Sequence, residues 1–297
     1  MALKIICFVS MLVCVQSSVV NLERRHIAPN QNGTNIHPPS NQQDDASIAP
    51  DKYIAGGHPA AIGQFPSIAR LSIKTTTDTL LCAGSLIGER HVLTAAHCLD
   101  HDIKYYQDIS IYLGEYDRKS YPVDCVKNKC IKNKLVYPDK ILKHPEYNSV
   151  TVENDIALMR LQKRAPLSAY VKPIPLPPFD VDHPINKGAS LAVVGWGETE
   201  SAYSSNILLA TELSLIPKAE CLRQESDVPV KHMCAGDAKG KDTCPGDSGG
   251  PLLMYYQENY YLSGIVSYGP SMKCGTSKIG YYTNVYKYMK WIKENMK

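Results

Sequence analysis

Short apolar runs, separated by glycine, proline and asparagine, dominate the chain after about residue 54. Each run has the length of a strand, is rich in Val, Ile, Leu and Tyr, and rarely continues at helical spacing. The runs are FPSIARLSI, TLLCAGSLI, HVLTAAH, ISIYLG, DIALMRL, SLAVVGWG, YYLSGIVSYG and YYTNVY. This pattern predicts an all-β fold.

A proline-rich stretch divides these predicted strands into two groups. It reads PLSAYVKPIPLPPFDVDHP and covers residues 166–184. We interpret it as a linker that crosses between two β-barrels of similar size. Only the C-terminal VYKYMKWIKENMK has apolar residues on one helical face, at Val285, Met289, Ile292 and Met296. A C-terminal α-helix is therefore predicted.

The first part of the chain has the pattern of an export signal followed by a polar leader. Residues 1–18 combine the charged Lys4, the apolar run IICFVSMLVCV and small residues at the end, as a cleaved signal peptide does. Residues 19–53 are rich in Asn, Gln and Pro, which predicts a flexible propeptide. Asn32 lies in N-G-T, a candidate glycosylation site. We expect a secreted, extracellular protein with no membrane segment.

Cysteine content agrees with export. The chain has ten cysteines, of which Cys7 and Cys14 would leave with the signal peptide. An even set in an oxidising compartment favours four disulfides, and eight cysteines allow about 105 pairings. A zinc cluster is the alternative, but no C-x-x-C pair occurs, so we expect no metal. The remaining cysteines are Cys82, Cys98, Cys125, Cys130, Cys221, Cys234, Cys244 and Cys274.

Net charge gives no indication of a nucleic-acid partner. The 297 residues carry a formal charge of +3, and the lysines are scattered rather than grouped. A solvated, lysine-bearing surface explains this distribution.

The stretch GKDTCPGDSGGP places Ser248 among turn-forming residues, which fits a plain surface loop or an exposed nucleophile. A serine hydroxyl needs a base to take its proton. The G-x-S-x-G pattern also occurs in α/β-hydrolases, where the histidine follows the serine, but no histidine follows His232 here. This order argues against a lipase-like esterase and predicts a base upstream.

His97 and Asp155 are the candidates for that base and its carboxylate. LTAAHC places His97 after a buried strand and beside Cys98, and ENDIALMRL places Asp155 at the head of an apolar strand. A packed core histidine and a turn aspartate are the alternatives. The H-x-x-x-H formed with His101 lacks the glutamate of a zinc protease.

TAAHC, DIAL and GDSGGP, in this order, resemble the three signature stretches of the chymotrypsin-like (S1) serine endopeptidases. The resemblance covers residues 54–297. LGEYD followed by Cys125 and Cys130 is most similar to arthropod secreted members, including venom and clip-type proteases. The resemblance implies two six-stranded antiparallel β-barrels with a C-terminal α-helix, and no cofactor. A calcium loop near Glu115 would fit the family, but the lysine-rich stretch after it has few acids, so we expect none.

The resemblance also implies roles for individual residues. Ser248 attacks the peptide carbonyl, His97 transfers the proton and Asp155 orients His97. The N–H groups of Gly246 and Ser248 bind the oxyanion. Asp242 lies at the base of the specificity pocket, which selects Arg or Lys. Gly269 and Gly280 leave that pocket open, and the disulfides are Cys82–Cys98, Cys125–Cys130, Cys221–Cys234 and Cys244–Cys274.

Activation is where the sequence departs from the family. Members are made as zymogens, and a cut after Arg or Lys frees an amino terminus that pairs with the aspartate before the serine, here Asp247. In DKYIAGG, Tyr53 lies between Lys52 and Ile54. Either the cut follows Tyr53 and frees Ile54, or it follows Lys52 and leaves one extra residue.

A second departure concerns the leader. Many relatives tether the leader through a cysteine, where this chain has Pro175, and the leader after the signal has no cysteine. We therefore expect the leader to be released and expect no clip domain.

The expected partners are protein or peptide substrates with Arg or Lys at the cut, an activating protease and protein inhibitors, and we expect a monomer. Roles in venom, digestion or a haemolymph cascade all fit this sequence. The rival, which applies if Tyr53 blocks activation, is a catalytically silent homologue that acts as a binding partner. Such homologues typically lose a triad residue, whereas this chain keeps all three.

Overall fold

The computed structural model describes residues 57–100, 106–199, 204–237, 243–270, 276 and 278–297. The strands are β1 His58–Pro59, β2 Ile68–Thr75, β3 Thr79–Gly88, β4 His91–Thr94, β5 Tyr106–Leu113, β6 Val123–Val126, β7 Lys129–Lys132, β8 Lys134–Val136, β9 Pro138–Lys143, β10 Ala157–Leu161, β11 Ser190–Gly195, β12 Leu209–Ile216, β13 His232–Gly236, β14 Pro251–Tyr256, β15 Asn259–Tyr268 and β16 Gly280–Asn284. The helices are α1 Lys218–Gln224 and α2 Met289–Asn295. The predicted all-β fold with a C-terminal helix is confirmed.

The first half of the protein is an antiparallel sheet of seven short strands. Their order is β8-β5-β2-β3-β4-β10-β9. Only Tyr137 separates β8 from β9, so one stretch of chain runs along both edges of this sheet. Pro138 at the start of β9 has no N–H to donate, which favours a break in pairing at this point. The first half thus differs from a regular six-stranded barrel at this edge.

The second half is a closed barrel. Strands β12, β11, β14, β15, β16 and β13 follow one another, and pairing of β13 with β12 completes the circle of six. The short β1 adds to β12 from outside, with His58 opposite Ala210. Residues 162–189 connect β10 of the first sheet to β11 of the second, and they include the stretch interpreted as a linker.

The largest buried cluster extends from the first sheet into the second half. In β2, Leu71 and Ile73 are fully buried, as expected for alternate positions on one face of a strand. The same cluster includes Val194 of β11 and Ile265 of β15. Because the two halves share this core, loops at their boundary are held in fixed positions.

The C-terminal segment begins with a 3-10 turn, Val285–Tyr288, and continues as α2. Of the four residues on the predicted face, Val285 and Ile292 are fully buried, and Met289 and Met296 are half-buried.

Among the described residues, none of the helices has the length and apolar character needed to span a membrane.

Disulfides join Cys82 to Cys98, Cys125 to Cys130 and Cys221 to Cys234, the pairs that the resemblance implies. Cys244 is also disulfide-bonded. Its expected partner Cys274 lies outside the described residues, as do the signal peptide, the propeptide, Asn32, Ile54 and Asp242.

Candidate active site

Two neighbouring strands bring His97 and Asp155 together. Strand β10 pairs with β4 so that Ala157 lies opposite Thr94. Asp155 precedes β10 by two residues, and His97 follows β4 by three. Because the two strands are antiparallel, the residues just before β10 lie beside the residues just after β4.

The Asp155 side chain is fully buried and receives three hydrogen bonds. The His97 backbone N–H donates to Oδ1 at 2.9 Å, and His97 Nδ1 lies 2.8 Å from Oδ2. The Ser267 hydroxyl donates to Oδ2 at 2.5 Å. The Asp155 backbone carbonyl also accepts from Thr283 Oγ1 at 2.7 Å. These contacts fix the carboxylate in one orientation.

Electrostatics keep this buried carboxylate ionised. Burial alone would raise the pKa of Asp155, but the hydrogen bonds and charge of His97, together with the Ser267 hydroxyl, outweigh it and hold the pKa below its ordinary value. An ionised carboxylate only accepts, so the proton between the two groups lies on His97 Nδ1. The other ring nitrogen, Nε2, is then left as a proton acceptor.

A disulfide constrains the backbone beside His97. Cys98 is bonded to Cys82 of β3, and Cys98 Sγ lies 3.8 Å from His97 Nε2. His97, Cys82 and Cys98 together offer three atoms of the kind that bind metals. Both sulfurs are committed to the disulfide, so no thiolate is available, and the cluster does not fit a zinc site.

Ser248 lies in a tight turn between two glycines with positive φ, Gly246 at 95° and Gly249 at 75°. At Gly249 an added Cβ would lie 2.1 Å from Thr94 Oγ1 and 2.5 Å from the Ala83 carbonyl oxygen. The backbone therefore approaches the first sheet more closely than any side chain would permit.

Backbone hydrogen bonds attach this turn to both halves. The Ala83 N–H of β3 donates to the Ser248 carbonyl at 2.8 Å, and the Gly249 N–H donates to the Val266 carbonyl at 2.9 Å. Val266 is next to Ser267, whose hydroxyl binds Asp155. The turn, β3 and the Asp155 environment thus meet at the boundary between the two halves.

The N–H groups expected to bind an oxyanion are those of Gly246 and Ser248. Within the part of the chain that the structure describes, neither N–H donates a hydrogen bond to another protein group. The Ser248 side chain is half-buried, so solvent and ligands can reach this turn. Two uncommitted donors beside a hydroxyl can stabilise negative charge that develops on a bound carbonyl.

Asp247, next to Ser248, is fully buried. Its carboxylate accepts from the Gly197 N–H at 2.8 Å and the Cys244 N–H at 3.1 Å. Burial raises the pKa of Asp247 to about 6, although these two backbone N–H groups act in the opposite direction. Two neutral donors compensate the buried charge only partly.

The expected specificity pocket is described only in part. Gly280, at the start of β16, is buried, and Gly269, just after β15, is exposed. Thr243 Oγ1 lies 3.4 Å from Tyr282 Oη in β16. Asp242 itself lies outside the described residues.

Glu115, the residue of the possible calcium loop, is engaged by an arginine. Arg70 binds both carboxylate oxygens, and the Arg70 Nη2 to Glu115 Oε1 distance is 3.0 Å. Each carboxylate oxygen of Glu115 thus already accepts a hydrogen bond from a cationic side chain.

Sequence reasoning missed three residues of the Asp155 environment, which are Ser267, Thr283 and His232. Ser267 lies two residues before Gly269 in the run YYLSGIVSYG, so the role implied for Gly269 was a signal that could have identified it. Thr283 and His232 carry no such signal, because only the pairing of β13 with β16 places them beside each other.

A sequence model of the family described as Trypsin matches residues 54–292. The chain belongs to the trypsin family. The names of its relatives, among them a protease and a serine protease, agree with a serine endopeptidase of the S1 type. Melanization protease 1 of Drosophila melanogaster is 38% identical over 264 residues, which cover 82% of this chain and 66% of that protein.

Two further relatives are similarly close. CLIP domain-containing serine protease B4 of Anopheles gambiae is 36% identical over 82% of this chain and 70% of its own length. Phenoloxidase-activating enzyme of Bombyx mori is 35% identical over 84% of this chain and 62% of its own length. The chain thus spans about two thirds of the length of these relatives.

Proposed function

We propose that Ser248 is the nucleophile of this endopeptidase, that His97 is its general base and that Asp155 orients His97. The observation that carries the proposal is the 2.8 Å contact between His97 Nδ1 and the buried Asp155 carboxylate. This contact directs the free lone pair of His97 away from the carboxylate, as a general base requires.

In the proposed reaction, His97 Nε2 takes the Ser248 hydroxyl proton while Oγ forms a bond to the substrate carbonyl carbon. The carbonyl oxygen becomes negative and is bound by the N–H groups of Gly246 and Ser248. The proton on His97 then passes to the leaving amine as the C–N bond breaks, which leaves an acyl-enzyme. Water repeats the sequence, releases the acid and restores Ser248.

We further propose that the chain is exported as a zymogen and, once cut near Ile54, hydrolyses peptide bonds after Arg or Lys. The leader pattern supports export, and Asp242, six residues before Ser248, supports the preference for a cationic side chain. The relatives include an enzyme named for activating phenoloxidase. We infer that this chain likewise acts on a protein precursor, by limited cleavage at a basic residue.

Replacing Ser248 by Ala in the processed protein tests the nucleophile. Turnover of a small Arg amide substrate should fall by at least about 10,000-fold, because residual rate comes only from binding and the oxyanion donors. The variant should still bind a small amidine that mimics the Arg side chain, which serves as the control for an intact pocket. Retained turnover would refute the assignment of Ser248.

Replacing Asp242 by Ser tests the specificity. Removal of the Asp242 carboxylate would leave a cationic substrate side chain unpaired, so kcat/KM for Arg and Lys substrates should fall by about 100-fold or more. Hydrolysis of a matched substrate with an apolar residue before the cut should change much less. An unchanged ratio between the two substrates would contradict the assigned pocket.

A further inference from the structure

A second histidine lies on the far side of the Asp155 hydrogen-bond network. His232, the first residue of β13, is fully buried. Its ring Nε2 lies 3.1 Å from Ser267 Oγ, the hydroxyl that donates to Asp155. Its backbone carbonyl accepts from Lys218 Nζ at 2.8 Å, and it lies opposite Thr283 of β16. The ring is therefore held at a fixed position behind Ser267.

The direction of each hydrogen bond follows from the number of available protons. The ionised Asp155 carboxylate has no proton, so the single hydroxyl proton of Ser267 points to Asp155. Ser267 Oγ must then accept from His232, which requires the proton of the neutral ring to lie on Nε2. Nδ1 of His232 is then a bare acceptor, and it has no hydrogen-bond partner among the described residues.

The surroundings keep this ring neutral. Burial lowers the pKa of His232 to about 4, the nearby charge of Asp155 opposes this shift, and the charge of Lys218 adds to it. The Tyr268 ring packs against it with centroids 5.8 Å apart. Near neutral pH the imidazole is therefore uncharged, with one N–H donor.

We propose that His232 is a positioning residue of the catalytic site and acts through Ser267 on Asp155. This rests on the proposed roles of His97 and Asp155. The four residues form one chain: His232 Nε2–H donates to Ser267 Oγ, Ser267 donates to Asp155 Oδ2, and His97 Nδ1–H donates to the same oxygen. Without the N–H of His232, the Ser267 hydroxyl would be free to turn away from the carboxylate.

The proposal also predicts an electronic effect. A hydroxyl that accepts a hydrogen bond becomes a stronger donor, because successive hydrogen bonds polarise one another. His232 thus makes Ser267 withdraw more negative charge from Asp155. Loss of His232 should leave more negative charge on the Asp155 carboxylate that faces the His97 ring. The protonated form of His97, the imidazolium, should then be favoured.

The experiment compares His232→Met with His232→Gln in the processed protein. The Met variant, of similar volume and without a donor, should lower kcat by about 3- to 10-fold, as loss of one hydrogen bond does, with KM within about twofold. The acidic limb of its kcat/KM profile should move about half a pH unit upward. The Gln variant, whose amide N–H can reach Ser267, should recover most of both effects.

Two controls separate positioning from loss of packing. His144 is a second buried histidine, packed on Trp291 with ring centroids 5.3 Å apart, so His144→Met should leave the acidic limb unmoved. In a Ser267→Ala background, His232→Met should change kcat by less than about twofold, because the residue through which it acts is gone. Equal losses in both backgrounds, or a wild-type profile in His232→Met, would overturn the proposal.

An NMR measurement keeps this test distinct from that of the proposed function. In the full chain with Ser248→Ala, the ¹⁵N shifts of the His232 ring should show a protonated Nε2 and a bare Nδ1 at pH 7. A charged ring or the opposite tautomer would overturn the role of His232, whatever the activity. If the wild-type protein failed to cleave basic substrates while the tautomer was as expected, the proposed function alone would fail.

Discussion

At the scale of single residues, Gly249 combines a positive φ with too little room for a side chain. Gly249→Ala places a Cβ at positive φ and within 2.5 Å of the Ala83 carbonyl oxygen. The left-handed conformation alone costs about 1–2 kcal/mol, and the overlap must in addition displace the Ser248 turn. We expect lower stability in urea unfolding and at least a tenfold loss of kcat.

Gly188 is the matched control for this prediction. It has the same φ of 75°, but an added Cβ would meet nothing within 4 Å. Gly188→Ala should therefore show the backbone strain alone, with unchanged kcat. Equal effects of the two substitutions on kcat would mean that close approach to β3 does not position Ser248.

The sequence indicates candidate site residues where they lie in a short motif. His97, Asp155 and Ser248 each lie in a short local pattern, and His97 contacts Asp155 through Nδ1, as the proposed roles require. His232 and Ser267 lie in no such pattern, because their contact joins strand positions 35 residues apart. A buried histidine has no local pattern that separates it from any other core residue.

At the scale of elements, the sequence predicted strands but not which of their edges meet. The apolar runs correspond to real strands, since alternation reports burial of one face. Pairing of β13 with β12 closes the second barrel. In the first sheet, the consecutive strands β8 and β9 lie at opposite edges. Which edges pair is set by sheet twist and by neighbouring strands that are distant in sequence. A short segment of the sequence does not contain those neighbours.

The ribbon of β6 and β7 gives a prediction at this scale. It is a separate two-stranded sheet, and such a hairpin is marginally stable alone. The fully buried Asp124 carboxylate attaches it to the body by accepting from the Tyr116 N–H at 2.5 Å and the Asp117 N–H at 3.0 Å. Asp124→Ala should cost about 2–4 kcal/mol, because it leaves buried donors unpaired.

Urea unfolding and hydrogen exchange of the Tyr116 and Asp117 amides measure this effect. Asp139→Ala is the control, since that aspartate is bound only at the surface by Arg160 and Arg90. Its loss should change stability little, because exposed ion pairs are screened by solvent. If the two alanine variants were equally stable, Asp124 would not be the attachment point of the ribbon.

At the scale of the whole molecule, the candidate site exists only where the two halves meet. His97 and Asp155 come from loops of the first sheet, while Ser248 and Ser267 come from the second half. The buried core that the two halves share holds them in contact at this boundary. The sequence order of the three motifs matches that of the family. The contact between the two halves, however, depends on apolar residues buried along the whole chain, and no single motif reports it.

Asp247 links this site to processing of the chain, and its pH dependence is the last prediction. In the folded chain its pKa is about 6, against an ordinary value of 3.8. A raised carboxyl pKa gives stability that is fully present below pH 3.8 and is lost as the pH rises through 6. The uncut protein, carried as Ser248→Ala to prevent self-cleavage, should therefore lose about 3 kcal/mol of stability over this range relative to Asp247→Asn.

If processing frees Ile54 and its amino group pairs with Asp247, the loss of stability should vanish in the processed protein, because a cation then stabilises the buried charge. Urea unfolding at several pH values, with terminal sequencing of the processed form, measures both states. A loss that persisted in a protein beginning at Ile54 would contradict the pairing. A loss that persisted only when Tyr53 was retained would show that the cut after Lys52 leaves Asp247 without its cation.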